Sequence, residues 1–215
     1  MNQGKTKFQS DEIDLVVFDM GHVIIDFEWA IVCQGFLQRA GWSHIEDFQP
    51  ILAKVGKLGY EVGKISTEDF RRELNKLLST DIDEQEFTEL WNATFRENET
   101  MALLLEQLKR RYPLYLLSNT NDNHYNYIQE NFDIERHFDE LILSYRVGSA
   151  KPEHDIYHEV MRRSGLPPKR CLFIDDLPEN IEAAIQCGMQ AILFSSADEL
   201  LHDFNQLGLI TAHSS

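Results

Sequence analysis

Leu15-Val16-Val17-Phe18-Asp19-Met20-Gly21-His22-Val23-Ile24-Ile25-Asp26 is the stretch whose reading decides the fold. Four apolar residues, two of them β-branched, run into an aspartate and then a glycine, the pattern of a buried strand that ends in a turn and presents a carboxylate there. Asp19 then stands at the carboxyl end of a strand. In open α/β sheets that end binds ligands, because helices and loops diverge there and leave a crevice. Taken alone, the stretch equally fits an aspartate that forms a turn or caps a helix. The rest of the chain decides between them.

Immediately downstream, Trp29 to about Asn98 carries apolar residues at helical spacing over Ala30–Ala40, Ser66–Leu78 and Asp83–Phe95, with almost nothing that alternates like a strand. This is a helical insert. Ser66-Thr67-Glu68-Asp69 has the form of a capping box that opens a helix. Val55 to Lys64 holds three glycines, two lysines and a tyrosine, and reads as a flexible loop that either contacts an anionic substrate or simply joins two helices. From Thr100 the pattern becomes helix, strand, helix, strand. Leu114–Leu117, Leu141–Leu143, Cys171–Ile174 and Ala191–Phe194 are the apolar runs, with amphipathic segments between them. That alternation predicts an α/β fold with a parallel sheet and helices on both faces.

Composition narrows the function classes. At 215 residues with 43% hydrophobic content, the chain can bury one good-sized core and a smaller satellite. A formal charge of −16, from 36 acidic against 20 basic residues, and the lack of any basic run disfavour nucleic acid and anionic membrane partners. No apolar run reaches the roughly 18 residues of a membrane span, and Met1 to Asp14 is polar, so a cytoplasmic protein is expected, monomeric or homodimeric. Cys33, Cys171 and Cys187 are widely spaced and read as reduced packing residues.

Polar residues concentrate at the strand ends: Asp19 after the first, Ser118-Asn119 after the second and Asp175-Asp176 after a later one, with Lys151-Pro152 just before a helix. Carboxylates with a hydroxyl, an amide and a lysine are the parts of a magnesium-assisted phosphoryl-transfer site, since Mg²⁺ takes oxygen ligands and cations hold phosphate oxygens. A bound metal would also let the adjacent acids Asp175 and Asp176 both stay ionised near Asp19. His154 and His158 sit four apart, as two zinc ligands would, but their acidic neighbours make a solvated face. Trp29, Phe36 and Leu37 read as a packing seam.

Asp19-x-Gly21-x-Val23, Ser118-Asn119-Thr120-Asn121, Val147-Gly148-x-x-Lys151-Pro152 and Asp175-Asp176-x-x-Glu179-Asn180-Ile181 together resemble the haloacid dehalogenase superfamily of hydrolases. Within it, the chain is most similar to the bacterial sugar-phosphatase group that includes α-D-glucose-1-phosphate phosphatase. The resemblance implies a Rossmann-like core, residues 1–28 and 99–215, with a small helical cap, residues 29–98, inserted after the first strand motif. It implies a Mg²⁺-dependent phosphatase of a small phosphorylated metabolite, with Asp19 as the nucleophile that becomes an aspartyl phosphate. Ser118 and Asn119 would bind the phosphoryl oxygens, and Lys151 would neutralise charge on the phosphate and the nucleophile. Asp175 would ligate Mg²⁺ together with Asp19 and the backbone carbonyl of Gly21. Asp176 is left between supporting the metal ligands from behind and capping the next helix, because Glu179 completes a box pattern.

One departure matters. Most phosphatases of the superfamily carry a second aspartate where this chain has Gly21, and it serves as the general acid and base, worth roughly 10² to 10⁴ in rate. Three readings follow: a phosphatase for leaving groups that need little help, a dehalogenase, or a catalytically silent binding protein. The acidic pair favours the phosphatase, since a dehalogenase has no metal to hold. A hexose 1-phosphate, with its stabilised anomeric oxygen, fits the first reading. His22 and Asp26 are candidates to replace the missing base, unless His22 only shapes the turn and Asp26 only caps the linker.

Overall fold

In the computed structural model, which describes residues 12–210, β1 (Leu15–Phe18) is buried along its whole length at the centre of the sheet. The chain then runs through β2 (Ile25–Asp26), α1 (Trp29–Ala40), α2 (Gln49–Gly56), α3 (Thr67–Leu78), α4 (Glu84–Trp91) and β3 (Arg96–Glu97). It continues through α5 (Glu99–Lys109), β4 (Leu114–Ser118), α6 (Asp122–Asn131), β5 (Glu140–Leu143), α7 (Ser144–Val147) and α8 (His154–Ser164). Last come β6 (Cys171–Asp175), α9 (Pro178–Gln186), β7 (Gln190–Leu193) and α10 (Ala197–Gln206).

Five strands form one parallel sheet in the order β5-β4-β1-β6-β7, as the alternation of strand and helix predicts. Successive side chains of a strand point to opposite faces, and here both faces are covered, which is why the strands read as continuous apolar runs. On one face Val16, Phe18, Leu116 and Ile174 pack with residues of α5, α6 and α10, among them Leu105, Ile128 and Phe204. On the other, Val17, Leu117 and Phe173 pack with Ile156, Tyr157 and Val160 of α8 and Ala184 of α9. The strand order turns back on itself at β1, so its carboxyl end opens between the ends of β4 and β6. That is the crevice position of doubly wound sheets.

Residues from Val32 to Trp91 have a core of their own, built from Phe36, Phe48, Leu74, Phe87 and Trp91 among others. Ser66 caps α3, accepting from the Asp69 N–H at 3.1 Å and donating to the Asp69 carboxylate at 2.8 Å. α4 ends at Trp91, short of the Phe95 that the apolar spacing suggests, because the chain there turns into β3. β3 pairs antiparallel with β2 and joins the two ends of the helical segment. Two residues per strand are too few for a period-two pattern, so the sequence gives no sign of them.

Val55 to Lys64 is not the loose loop that its glycines suggest. Tyr60 is buried and stacks on Phe70 with ring centroids 4.4 Å apart, inside a short 3-10 turn over Tyr60–Val62. The Ser144 hydroxyl donates to the Glu61 carbonyl at 2.5 Å, and a Cβ at Gly63 (φ +69°) would lie 2.3 Å from the Tyr145 carbonyl oxygen. Here glycine is required by both its backbone angle and the close approach. Lys57 and Lys64 face solvent. The three cysteines are free, Cys33 and Cys171 buried. Among the described residues no helix is long and apolar enough to cross a membrane.

Candidate active site

Adjacent parallel strands place their carboxyl ends side by side, so Asp19 follows β1 next to Asp175 at the end of β6. The Asp19 N–H donates to the Ile174 carbonyl at 2.9 Å. Lys151 reaches in from the turn before α8, and its Nζ lies 2.6 Å from Asp19 Oδ1 and 2.7 Å from Asp175 Oδ2. All three are buried. Asp175 Oδ1 also accepts from the Leu177 N–H at 2.8 Å, and Asn180 Nδ2 lies 3.0 Å from both Asp175 oxygens. Tyr157 holds Asn180 in turn, donating its hydroxyl to the Asn180 carbonyl at 2.9 Å.

Asp176 joins this group. Carboxylate oxygens of Asp19, Asp175 and Asp176 all lie within 4.8 Å of one another, and they form the one such cluster of metal-ligating side chains among the described residues. Asp176 does not cap a helix. The residue before α9 is Leu177, Pro178 opens the helix, and no side chain caps it. Three carboxylates face one ammonium, an excess of negative charge in a buried patch that calls for a cation. Burial pushes the Asp19 carboxyl up to about 6, with Lys151 pulling down and Asp175 pushing further up. Burial also raises Asp176, and the neighbouring Asp175 charge adds to it. For Lys151, burial works against the charge, but Asp19 and Asp175 outweigh it and hold the amine above its ordinary value. Three oxygen-donor side chains with no nitrogen or sulfur ligand fit a hard divalent cation such as Mg²⁺.

Asn119 makes contacts that the sequence does not suggest. Its Nδ2 donates to the Lys151 carbonyl and its Oδ1 accepts from the Lys151 N–H, each at 2.8 Å. The amide thus clasps the backbone of Lys151 through its oxygen and one N–H, and the second N–H of Nδ2 is left over. Ser118, buried at the end of β4, has only a long 3.4 Å contact to the Asn119 carbonyl, and its hydroxyl can turn toward a ligand.

Gly21 is not in the left-handed region, so its backbone would accept a side chain. The space is tight. A Cβ there would lie 3.2 Å from Phe27 Cε1, and the Phe27 ring is stacked on His22 at 4.2 Å. An aromatic edge crowds the place that an aspartate would need, and the Phe27 ring would have to shift to admit it. His22 itself is exposed with φ +54°, and its charge acts on Asp176. Asp26 lies in β2 opposite Arg96.

A cavity of about 380 Å³ opens beside these residues, floored by Met20, Gly21, Ser118 and Asn119 and walled from the helical segment by Trp29, Tyr60 and Trp91. Trp29 therefore departs from the packing seam. Phe36 and Leu37 are buried in it, but Trp29 is 36% exposed and meets Trp91 edge-on at 5.2 Å. His124, on the first turn of α6, also lines the cavity, stacked on Trp91 at 5.2 Å. Burial depresses its pKa to about 4, only partly offset by the Trp91 carbonyl and Asp122. Nothing in Asp122-Asn123-His124-Tyr125 marks that histidine in the sequence, because only the fold brings α4 over it. His154 and His158 pair with Gln186 and Asp155 at the surface, away from any ligand cluster.

Residues 13–188 match the family described as haloacid dehalogenase-like hydrolase. The chain is 29% identical over 186 residues to D-ribitol-5-phosphate phosphatase of Bacteroides thetaiotaomicron, covering 81% of this chain and 88% of that one. It is 23% identical over 195 residues to a phosphorylated carbohydrates phosphatase of Thermotoga maritima, 84% of each. Among solved structures, a haloacid dehalogenase family enzyme from Bacteroides thetaiotaomicron in complex with magnesium and inorganic phosphate superposes with a TM-score of 0.80 at 28% identity, over 89% of this chain and 99% of that one.

Proposed function

The chain belongs to the haloacid dehalogenase-like hydrolase family, and on that premise we propose that it is a Mg²⁺-dependent phosphatase that hydrolyses a small phosphomonoester through an aspartyl phosphate on Asp19. The observation that carries the proposal is Lys151 Nζ held at 2.6 and 2.7 Å between Asp19 and Asp175, with Asp176 completing a carboxylate trio. A dehalogenase has no use for that trio. The relatives' names, which concern phosphorylated carbohydrates, and the magnesium and phosphate in the similar structure support the same reading.

In this mechanism Asp19, Asp175, Asp176 and the Gly21 carbonyl would hold the ion, which supplies charge to draw the phosphoryl oxygens in and offset the developing negative charge. Asp19 must be ionised to attack. Burial works against that charge, and the Lys151 ammonium at 2.6 Å steadies the anion. An Asp19 oxygen bonds to phosphorus as the ester oxygen leaves with the bonding pair, and Lys151 and Ser118 balance charge on the phosphoryl oxygens. Asn119 positions Lys151 through its backbone. Water then hydrolyses the acyl phosphate, regenerating Asp19 and releasing phosphate.

Residues 29–98 act as a cap over a core of residues 1–28 and 99–215. Polar contacts fasten the two: Thr67 Oγ1 donates to Asp122 Oδ1 at 2.6 Å, and Asn92 Nδ2 to Asn123 Oδ1 at 2.8 Å. With no acid at Gly21, esters whose alcohol leaves readily are favoured, and among sugars that is a hexose 1-phosphate. The test is a panel of phosphate esters assayed for phosphate release with Mg²⁺ and with a chelator. Release that needs Mg²⁺ and vanishes in Asp19→Asn is expected. Turnover indifferent to the chelator, or retained in that variant, overturns the proposal.

A further inference from the structure

A carboxylate without a partner belongs to the cavity wall. Glu61, in the short turn Tyr60–Val62, lines the cavity together with Met20, Gly21, Ser118 and Asn119, and among the described residues neither lysine nor arginine lines it. Its side chain is exposed, and among the described residues its carboxylate makes no hydrogen bond or ion pair. Although the cavity leaves the group accessible, the protein around it raises the carboxyl above the ordinary carboxylate range by desolvation, with no neighbouring charge to offset it.

The turn is held in place from the core. The Ser144 hydroxyl, which donates to the Glu61 carbonyl, accepts from the Thr120 N–H at 2.9 Å, so Glu61 is tied to the loop that carries Ser118 and Asn119. Tyr60 on one side of it is stacked on Phe70, and Gly63 on the other lies against the Tyr145 carbonyl. The cations of the packed elements are directed elsewhere. Lys54, Lys57 and Lys64 face solvent, and Arg146 of α7 lies over the Tyr125 and Tyr145 rings at 4.7 and 5.4 Å.

The leaving alcohol has to enter this space. In an in-line displacement the ester oxygen departs on the side opposite the attacking Asp19 oxygen, so the alcohol extends away from the floor toward the walls. A desolvated carboxylate without a donor is costly, and an ammonium or hydroxyl on the alcohol supplies one. A second acid on the alcohol meets like charge instead, with no cation on the walls to offset it.

Resting on the phosphatase reading above, we propose that Glu61 is the specificity-determining residue of the cavity, accepting hydrogen bonds from the leaving alcohol, and that the substrate class is the phosphate ester of a hydroxylated or aminated alcohol with no second acidic group. The lysines flanking the turn take no part in the selection.

Three series of alkyl phosphates, ending in an ammonium, a hydroxyl or a carboxylate on spacers of increasing length, test this by kcat/KM with Mg²⁺, since all release a primary alcohol. The ammonium and hydroxyl esters should both exceed the carboxylate ester by about tenfold or more at the best length, and which of the two leads tells whether the donor is an amine or an alcohol. Glu61→Gln should cut the ammonium-to-carboxylate ratio by about tenfold or more, mainly through KM, whereas a merely structural role would lower all three series alike. Lys57→Gln and Lys64→Gln should leave that ratio where it is. Carboxylate esters turned over as well as hydroxyl esters, or an unmoved ratio in Glu61→Gln, overturn the inference and leave the phosphatase standing. If no ester of any series releases phosphate, the phosphatase reading fails, and calorimetry with the matching alkylphosphonates still decides the cavity: the same order of Kd upholds the role of Glu61, and equal Kd values or no binding overturn it.

Discussion

Installing the aspartate that the family usually carries at position 21 should fail in this chain unless Phe27 is removed with it. A Cβ at Gly21 meets Phe27 Cε1 at 3.2 Å, tighter than ordinary contact, and the carboxylate beyond it must displace a ring braced by His22 at 4.2 Å and Phe95 at 5.9 Å. Overpacking of that kind costs about 1–3 kcal/mol. For a chain of this size it lowers Tm by roughly 2–4 °C per kcal/mol. Gly21→Asp alone should therefore melt several degrees lower, with little gain in turnover. In the Phe27→Ala background the same substitution should cost almost nothing, giving a coupling of about 1–3 kcal/mol between the two sites. There the new carboxylate is free to act as acid and base, and dephosphorylation of the enzyme, read by rapid-quench trapping of the phosphoenzyme, should quicken by roughly 10² or more relative to Phe27→Ala. The reasoning is refuted if Gly21→Asp alone speeds dephosphorylation with Tm unchanged, or if the double variant turns over no faster than Phe27→Ala.

Lys151→Met leaves three carboxylates facing one another unpaired. Breaking such a buried set costs about 3–5 kcal/mol, so urea unfolding in a chelator should shift accordingly, Mg²⁺ should restore part of it, and phosphate release should be lost. Asn119→Leu removes both hydrogen bonds to the Lys151 backbone, at about 1–3 kcal/mol for each group left unsatisfied, and kcat should fall at least tenfold as Lys151 drifts. For His124 the folded pKa of about 4 lies below the ordinary 6.5. On acidification the unfolded chain takes up the proton first, so the contribution is complete above pH 6.5 and is lost toward pH 4, roughly 3 kcal/mol in all. Melting curves of the wild type and His124→Gln over that range should converge as the pH falls, and parallel curves would contradict the assignment.

The fold was legible because β1, β4 and β6 are buried on both faces, so their apolar runs and the polar residues that end them stand out. Asp19, Lys151 and Asp175 could be named for the same reason: each closes or adjoins an element whose period is readable. What could not be read depends on contacts between distant segments. Asn119 gave no sign that its amide clasps the backbone of Lys151, thirty-odd residues away, since spacing tells nothing of which partner a side chain meets. Asp176 and Glu179 mimic a capping box, but Pro178 starts the helix one position later and frees Asp176. Phe27 and His124 became meaningful only once Gly21 and Trp91 lay against them, and the glycines of Val55 to Lys64 mark a tight packing site where their composition suggested looseness.

The placement of β1 at the middle of the sheet sets an order on synthesis. It is the first strand to emerge, yet its neighbours are β4, from Leu114, and β6, from Cys171. At ribosomal rates of about 5–20 residues per second, β1 waits roughly 8–30 s for its second neighbour. During that interval Leu15 to Phe18 is a wholly apolar segment with at least one edge unpaired, while residues 29–98, whose contacts are local, can already collapse on their own core. The nascent chain should therefore be most prone to aggregation, and most in need of a chaperone, after the helical segment has folded and before Cys171 leaves the ribosome. Asp19, Lys151 and Asp175 come together only after β6 has emerged, so catalytic competence waits on that strand.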